Sequence, residues 1–395
     1  MAKKSVTVVS PDGEKVPFLR GVLVQSLTTR GLSFEDAYAM AQRVRDALAP
    51  TDEIDTDSLR DQVAELLEQE FGPEVRQAYE SGREDDLQIM VRTPSREAPF
   101  SVGLLSRYLE GCAIGRENAL SSARTVHEIL RQRGASEIDS KELRHVIFDT
   151  LKRDCCAEAA DHYISRCRFQ DSRQPLIILI GGPPGAGKST VTADVAYHLE
   201  IARTQSTDLI REIVRSYLAP QVVPTLGYSS FEAWKGLPEV EPLEQHRQPG
   251  NLVIAGFLSQ VDTIKTALEA TISRAIKEHQ DLVVDGVHVI PSRMNLKKLD
   301  EDAVVVPITL AVTTYGQLAR QLGRRSREQP DRRSSLHKEQ LNAIWDIQTH
   351  MLDQAEKNGI PVIANWNIDD TVRRILEQVI KRIAARFPPD PASLG

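Results

Sequence analysis

Between Gly182 and Ser189 the chain reads Gly-Pro-Pro-Gly-Ala-Gly-Lys-Ser, which has the spacing G-x-x-x-x-G-K-[ST]. Glycines at these positions let the backbone turn tightly enough to aim successive N–H groups at phosphate oxygens, and a helix start adds partial positive charge. Lys188 is placed to reach β- and γ-phosphates, and Ser189 to ligate Mg²⁺. Gly182, Gly185, Ala186, Gly187, Lys188, Ser189 and Thr190 are therefore the candidate cradle for a nucleoside triphosphate such as ATP. The run Leu282-Val283-Val284-Asp285 places a carboxylate at the end of an apolar stretch, suited to hold Mg²⁺ opposite Ser189. A turn Asp before Gly286 is the structural alternative.

Other polar residues suit a phosphoryl acceptor. Thr207-Asp208 precedes Arg211 and Arg215 at helical spacing, so a carboxylate and two guanidiniums can share one face and meet a small anion. Asp208 is the candidate to orient or deprotonate the acceptor hydroxyl, with a helix N-cap as its competing role. His288 is either an acceptor contact or an imidazole satisfied by the backbone. Arg320, Arg324, Arg325, Arg327, Arg332 and Arg333 crowd one segment against only Glu328 and Asp331. Such fixed charge fits a lid over a transferring phosphoryl group, with Arg320 and Arg324 on one helical face. A solvated basic helix is the alternative, and the lack of interleaved aromatics speaks against nucleic acid. Asn365 is the candidate for an adenine-side loop, or a turn residue. The catalytic set is thus Lys188, Asp208, Arg320 and Arg324.

Strands must carry these residues. The β-rich runs are Leu176 to Ile180, Ile201 to Gln205, Leu282 to Asp285, Val304 to Val312 and Pro361 to Ala364, alternating with helical stretches. That alternation predicts an α/β fold, a parallel sheet with helices on both faces, which binds ligands at the carboxyl ends of its strands. The polar segment Phe169 to Pro175 is a boundary before the first of these strands.

Composition is that of an ordinary globular protein: 395 residues, 41% hydrophobic and 27% charged, enough for several cores. Lys plus Arg total 49 against 56 Asp plus Glu, a net charge of −7, so no chain-wide basic field recruits nucleic acid. No apolar run approaches the roughly 20 residues of a membrane span, and Met1-Ala2-Lys3-Lys4-Ser5 lacks the apolar stretch of a signal peptide. The expected location is cytoplasmic. Cys112, Cys155, Cys156 and Cys167 have neither zinc-site nor disulfide-framework spacing.

The first half of the chain is duplicated. Pro17-Phe18, Gly21, Leu23 and Leu27 recur as Pro99-Phe100, Gly103, Leu105 and Leu109; Ala37, Ala41, Val44 and Leu48 recur as Ala119, Ala123, Val126 and Leu130. After a two-residue insertion, Ile54-Asp55 and Leu59 recur as Ile138-Asp139 and Leu143. Each unit predicts an extended start and two helices, a small, mainly helical module, with N-cap oxygens in Thr56-Asp57-Ser58 and Asp139-Ser140. The unit resembles the ATP-cone, a regulatory nucleotide-binding module, in its extended start, Pro-Phe pair, helices and terminal Tyr. The family's basic pair before an Asp-Gly turn is Ser10-Pro11 here, and its lysine after the Phe is Gly21 or Gly103. The expected organisation is an ATP-cone-like module over 1–90, a second over 91–171 and a P-loop kinase domain over 172–395. Homo-oligomerisation through the modules is included in that expectation.

Longer segments resemble the 2-phosphoglycerate kinase family. They are Pro17 to Gly21, Leu176 to Thr190, Thr207 to Glu212, Pro224-Thr225-Leu226 with Ser229-Ser230 and Ala233-Trp234, Gly256-Phe257 with Gln260, Asp285 to His288, and Ala364-Asn365. The resemblance implies transfer of the ATP γ-phosphoryl group, with Mg²⁺, to 2-phosphoglycerate, giving 2,3-bisphosphoglycerate. It implies a small anionic acceptor met by Asp208, Arg211, Arg215, Ser229, Ser230, Lys235 and His288, with no nucleic acid or membrane partner. The family's acid at Asp285 is more often Glu, and its Ile-Arg pair after the lid is here Ile344-Trp345. A kinase of another phosphorylated or polyol metabolite, related to inositol phosphates, and a non-catalytic nucleotide sensor are the alternatives.

Overall fold

The computed structural model of the protein describes residues 6–10, 13, 15–29, 32–48, 51–73, 75, 76, 79, 89–94, 96–134, 136–219, 221–238, 249–328 and 338–394. They divide into two compact units, one of Met1–Phe100 with Ala135–Ile138, the other of Ser101–Gly134 with Asp139–Gly395. This division differs from the three domains expected from the repeat. The helices of the second copy count with the sheet that follows them, and its strands with the first copy.

In the first unit, β1 (Thr7–Val9) pairs antiparallel with β2 (Lys15–Pro17) and parallel with β3 (Glu53–Asp55), Val8 standing opposite both Val16 and Ile54. Helices α1 (Arg20–Thr29), α2 (Phe34–Ala47) and α3 (Thr56–Phe71) bury Leu27, Met40, Val44, Leu48, Val63 and Leu67 in one core. The sheet order β2-β1-β3 is repeated by β4 (Met90–Arg92), β5 (Glu97–Pro99) and β6 (Glu137–Asp139) as β5-β4-β6. The modules are thus mainly helical, each with a small three-stranded sheet that includes the expected extended start. Strands of three residues are too short to register a period-two pattern, so the sheet pairing itself is not legible in the sequence. The cap of α3 is Asp55, whose side chain accepts from Ser58 N at 2.8 Å, one residue ahead of the expected stretch. Asp139 accepts from Lys141 N at 2.8 Å as the cap of α6 (Ser140–Asp154), which follows α4 (Val102–Glu110) and α5 (Arg116–Gln132) and precedes α7 (Ala157–Ser172).

The second unit is built on a five-stranded parallel sheet of β7 (Leu176–Gly181), β8 (Thr204–Ser206), β9 (Leu282–Gly286), β10 (Val304–Ala311) and β11 (Val362–Ala364), in the order β11-β10-β7-β9-β8. Every residue of β7 is buried, as a central strand covered on both faces requires. On one face Ile177 and Leu179 join Val284 and Val305 under Ile264, Leu268 and Ile272 of α10 (Pro249–Lys277) and Ile210 of α9 (Thr207–Tyr217). Those α10 positions recur every four residues, close to the helical period. Ile178 and Ile180 point the other way. That face is covered by α8 (Lys188–Leu199) and α14 (Ile368–Arg386). The remaining helices are α11 (Leu296–Asp302), α12 (Tyr315–Glu328) and α13 (Lys338–Lys357).

The five strands of this sheet run the same way, so the P-loop, Asp208, Asp285 and Asn365 all lie at the carboxyl ends of their strands, at one end of the sheet. Among the described residues no helix is long and apolar enough to cross a membrane. Ile264 is 0% exposed in the α10 core. Ile264→Ala is expected to lower the unfolding free energy by about 2–5 kcal/mol in urea titrations. A loss below about 1 kcal/mol would place this side chain outside the core.

Candidate active site

The P-loop joins β7 to α8 through three glycines of positive φ, Gly182, Gly185 and Gly187. Gly187 has φ +75°, and a Cβ there would fall 2.6 Å from Asn365 Nδ2. It precedes α8 with no side-chain cap, so the first turn of this helix carries the partial positive charge that suits an anionic ligand. Ala186 N–H is used inside the loop, donating to Pro183 O at 3.2 Å. Lys188 Nζ folds back to Pro183 O at 2.8 Å. Ser189 Oγ donates to Asp285 Oδ2 at 3.2 Å, and Asp285 is only 5% exposed. A hydroxyl and a buried carboxylate at that separation are hard oxygen ligands of the kind Mg²⁺ takes, with phosphate oxygens and water completing its shell. Among the described residues no cluster of three or more His, Cys, Asp or Glu could hold a metal ion.

The expected acceptor residues gather around α9. Ser206 caps this helix, accepting from Asp208 N at 3.2 Å, so the capping role is taken and the Asp208 carboxylate stands exposed on the first turn. Arg211 donates through Nη1 to Tyr228 O at 2.7 Å and through Nη2 to Glu212 Oε1 at 2.8 Å. Arg215 meets the other Glu212 oxygen at 2.7 Å. A second carboxylate repeats the arrangement: Glu232 accepts from Ser229 Oγ and from Lys235 Nζ, each at 2.8 Å. Lys235 beside it, then the Ser229 hydroxyl, hold its carboxyl below the usual range against the opposing effect of burial. Ser230, expected beside Ser229 as an acceptor contact, is buried instead.

His288 departs from the expected contact with substrate. The ring is 2% exposed, and both nitrogens are occupied, Nδ1 at 3.2 Å from Thr207 Oγ1 and Nε2 at 3.2 Å from Gln260 Oε1. Burial pushes its pKa down to about 4; the nearby Asp208 opposes this, while Arg211 and Lys188 add to it. The imidazole is neutral at physiological pH and sits under the acceptor residues.

Asn365 likewise differs from the adenine-side role expected of it. Its Nδ2 donates to Ala186 O at 2.8 Å, its Oδ1 accepts from Thr371 Oγ1 at 3.0 Å, and its own carbonyl accepts from Gln317 Nε2 at 2.6 Å. With both ends of its amide engaged and 5% exposure, it staples the P-loop to the end of β11. Arg320 is exposed on α12, which is seated on the P-loop: Leu322 and Leu318 lie 2.9 and 3.3 Å from where a Gly185 Cβ would be. Arg324 belongs to the same helix; Arg332 and Arg333 lie outside the described residues.

Glu212, Glu232, Thr207, Gln260 and Gln317 are site residues to which the sequence alone assigns no role. Gln260 carries a signal, a lone amide inside the apolar stripe of Phe257, Val261 and Ile264. The arrangement as a whole combines a P-loop and a buried hydroxyl–carboxylate pair with an exposed carboxylate and a set of cations, which suits in-line phosphoryl transfer to a small anion.

No protein-family model matches the chain. It is 30% identical over 296 residues to a 2-phosphoglycerate kinase of Pyrococcus furiosus, covering 75% of this chain and 94% of the relative. With the enzyme so named from Methanocaldococcus jannaschii it shares 32% over 301 residues, again 75% and 94%, and with that of Pyrococcus horikoshii 31% over 284 residues, 72% and 90%. Solved structures are more remote. A gluconokinase from Sinorhizobium meliloti 1021 aligns with 54% of this chain and 97% of its own at TM-score 0.32 and 17% identity, and a shikimate kinase from Acinetobacter baumannii with 55% and 98% at 0.32 and 14%, too slight to carry an argument. At 30–32% identity over nearly the whole of the curated relatives, the chain belongs to the 2-phosphoglycerate kinase family.

Proposed function

We propose that this protein transfers the γ-phosphoryl group of ATP to the free hydroxyl of 2-phosphoglycerate, giving 2,3-bisphosphoglycerate and ADP. The observation that carries the reading is the Ser189–Asp285 pair at 3.2 Å beside a P-loop, in a chain of this family. An oxygen of the acceptor forms a bond to the γ-phosphorus as the bond from that phosphorus to the β–γ bridging oxygen breaks. The hydroxyl proton leaves to Asp208. Lys188 neutralises charge on the β- and γ-phosphates, and the amides at the start of α8 hold the phosphates in place. Ser189 and Asp285 would hold Mg²⁺, which would supply charge stabilisation to the transferring group.

Arg211, Arg215 and Lys235 suit an acceptor that carries both a carboxylate and a phosphate. Glu212 pairs with the two arginines and Glu232 with Lys235, so acceptor binding exchanges carboxylate partners for the charged groups of the acceptor. Arg320 meets the equatorial oxygens from α12, and the sequence assigns the same role to Arg324. The two repeated modules are read as ATP-cone-like scaffolds, since the cations expected to face phosphate are absent from Ser10-Pro11, Gly21 and Gly103.

Lys188→Ala is expected to reduce kcat with ATP and 2-phosphoglycerate by about 10²–10³-fold; wild-type turnover in this variant would sink the assignment. Asp208→Asn keeps the helix start but cannot take a proton, and should lose about 10²-fold in kcat with little change in the KM for ATP. Asn365→Ala should raise the KM for ATP about fivefold through the lost bond to Ala186 O, while the KM for the acceptor stays put. A panel of phosphorylated three-carbon acids, sugars and inositols, read by coupled ADP detection, tests the acceptor. Stimulation by an inositol phosphate and not by 2-phosphoglycerate would reassign it.

A further inference from the structure

Gln260 lies fully buried on α10, with 0% exposure. Its Nε2 donates to two carbonyl oxygens, those of Thr225 and of Tyr228, the latter at 2.9 Å. Carbonyls only accept, so the amide can face them only with its nitrogen. Its Oε1 is therefore the atom 3.2 Å from His288 Nε2. An amide oxygen also only accepts, so His288 Nε2 carries the proton. The neutral ring then offers a lone pair at Nδ1, and the Thr207 hydroxyl 3.2 Å away must be its donor. Donation runs in one direction, from Thr207 through His288 and Gln260 to the 225–228 loop.

Each end of this chain of hydrogen bonds touches the acceptor side of the site. Thr207 directly precedes Asp208 on the first turn of α9 and is 0% exposed. It approaches β9 so closely that a Cβ on Gly286, whose φ is +156°, would fall 1.7 Å from its Oγ1. At the other end, the Tyr228 carbonyl that takes Gln260 also takes Arg211 Nη1 at 2.7 Å. Asp208 and Arg211 are thus tied, by separate routes, to the two termini of one buried relay.

We infer that Thr207, His288 and Gln260 are positioning residues for the phosphoryl acceptor, fixing the Asp208 carboxylate and the Arg211 guanidinium against the 225–228 loop. The inference rests on the acceptor reading given above. The relay's hydrogen bonds run to α9, α10 and that loop, so its loss disturbs acceptor binding and leaves the ATP cradle in place.

Two measurements on the full chain test it. In protein labelled with ¹⁵N-histidine, the His288 resonances, assigned by comparison with His288→Gln, should show the Nε2–H tautomer. An Nδ1–H tautomer would overturn the donation order. In steady-state kinetics, Thr207→Val should raise the KM for 2-phosphoglycerate about tenfold or more, as loss of a buried hydrogen bond predicts, with the KM for ATP within about twofold of wild type. Thr207→Ser, which keeps the donor, should restore the acceptor KM to within about threefold. Equal rises in both KM values, or no change in either, would reduce the relay to packing. If Thr207→Val fails to fold, the tautomer of the wild-type protein still decides the relay. If wild-type protein shows no turnover with 2-phosphoglycerate, the acceptor reading fails while the tautomer measurement stands.

Discussion

The site depends on the register of two parallel strands. β7 pairs with β9 so that Ile180 stands opposite Asp285 and Gly181 opposite Gly286. Shift that pairing by one residue and the carboxylate turns to the other face of the sheet. In the observed register both strands end together, and the P-loop turns back over Asp285 at the distance of a hydroxyl–carboxylate hydrogen bond. β8 pairs with β9 as well, Ser206 opposite Asp285, which brings the capped start of α9 to the same edge. One ladder thus sets the donor cradle, the metal pair and the proposed base in common coordinates. The apolar run of β9 is what makes the register firm, because every one of its residues is buried.

Loops at the edge of a parallel sheet cannot borrow hydrogen bonds from a neighbouring strand, and a buried polar atom left alone costs about 1–3 kcal/mol. The protein answers with amides. Asn365 serves Ala186, Gln317 serves Asn365, Gln260 serves Thr225 and Tyr228, and Gln348 exchanges two bonds with the backbone of Val312. A side-chain amide carries both donors and an acceptor, so it can mimic a strand neighbour for loop backbone. Those bonds tie the P-loop and the 225–228 loop to the scaffold, the kind of ordering from which catalysis by positioning draws its advantage.

The sheet is legible in the sequence because its strands are continuous apolar runs, and the observed ends differ from the expected ones by a residue or so at β7, β9, β10 and β11. β8 begins three residues late, since Ile201 is buried ahead of the strand and gives the same apolar signal. Lys188, Ser189 and Asp285 are legible because their chemistry is tied to local spacing. Asn365 and His288 stand out in the sequence, yet their partners do not, since their hydrogen bonds reach residues 179 and 81 or 28 positions away. Glu212 and Glu232 are invisible for a different reason. A carboxylate beside an arginine or lysine on a helix reads as surface pairing, and only the fold reveals that both pairs gather near one loop.

The repeat illustrates how the same local pattern can meet two fates. Aligned copies place Gln25, Ser26, Thr29 and Arg30 against Arg107, Tyr108, Gly111 and Cys112. In the second copy Arg107 pairs with Glu200 at 2.7 Å and lies 4.8 Å over the Tyr197 ring, both at the end of the P-loop helix α8. Gly111 is what permits the approach: a Cβ there would fall 2.6 Å from His198 O and 2.0 Å from Arg166 Nη1. Arg166, nearly fully buried, donates to Tyr108 O at 2.8 Å and stacks on its ring at 4.1 Å. A Thr at the Gly111 position, as in the first copy, would push α8 and Arg166 away. The core positions that the copies share specify the module, and a handful of substitutions on its outer face determine that α4 to α7 of the second copy belong to the same compact unit as the P-loop. That packing abuts the carboxyl end of α8, the helix that follows the P-loop.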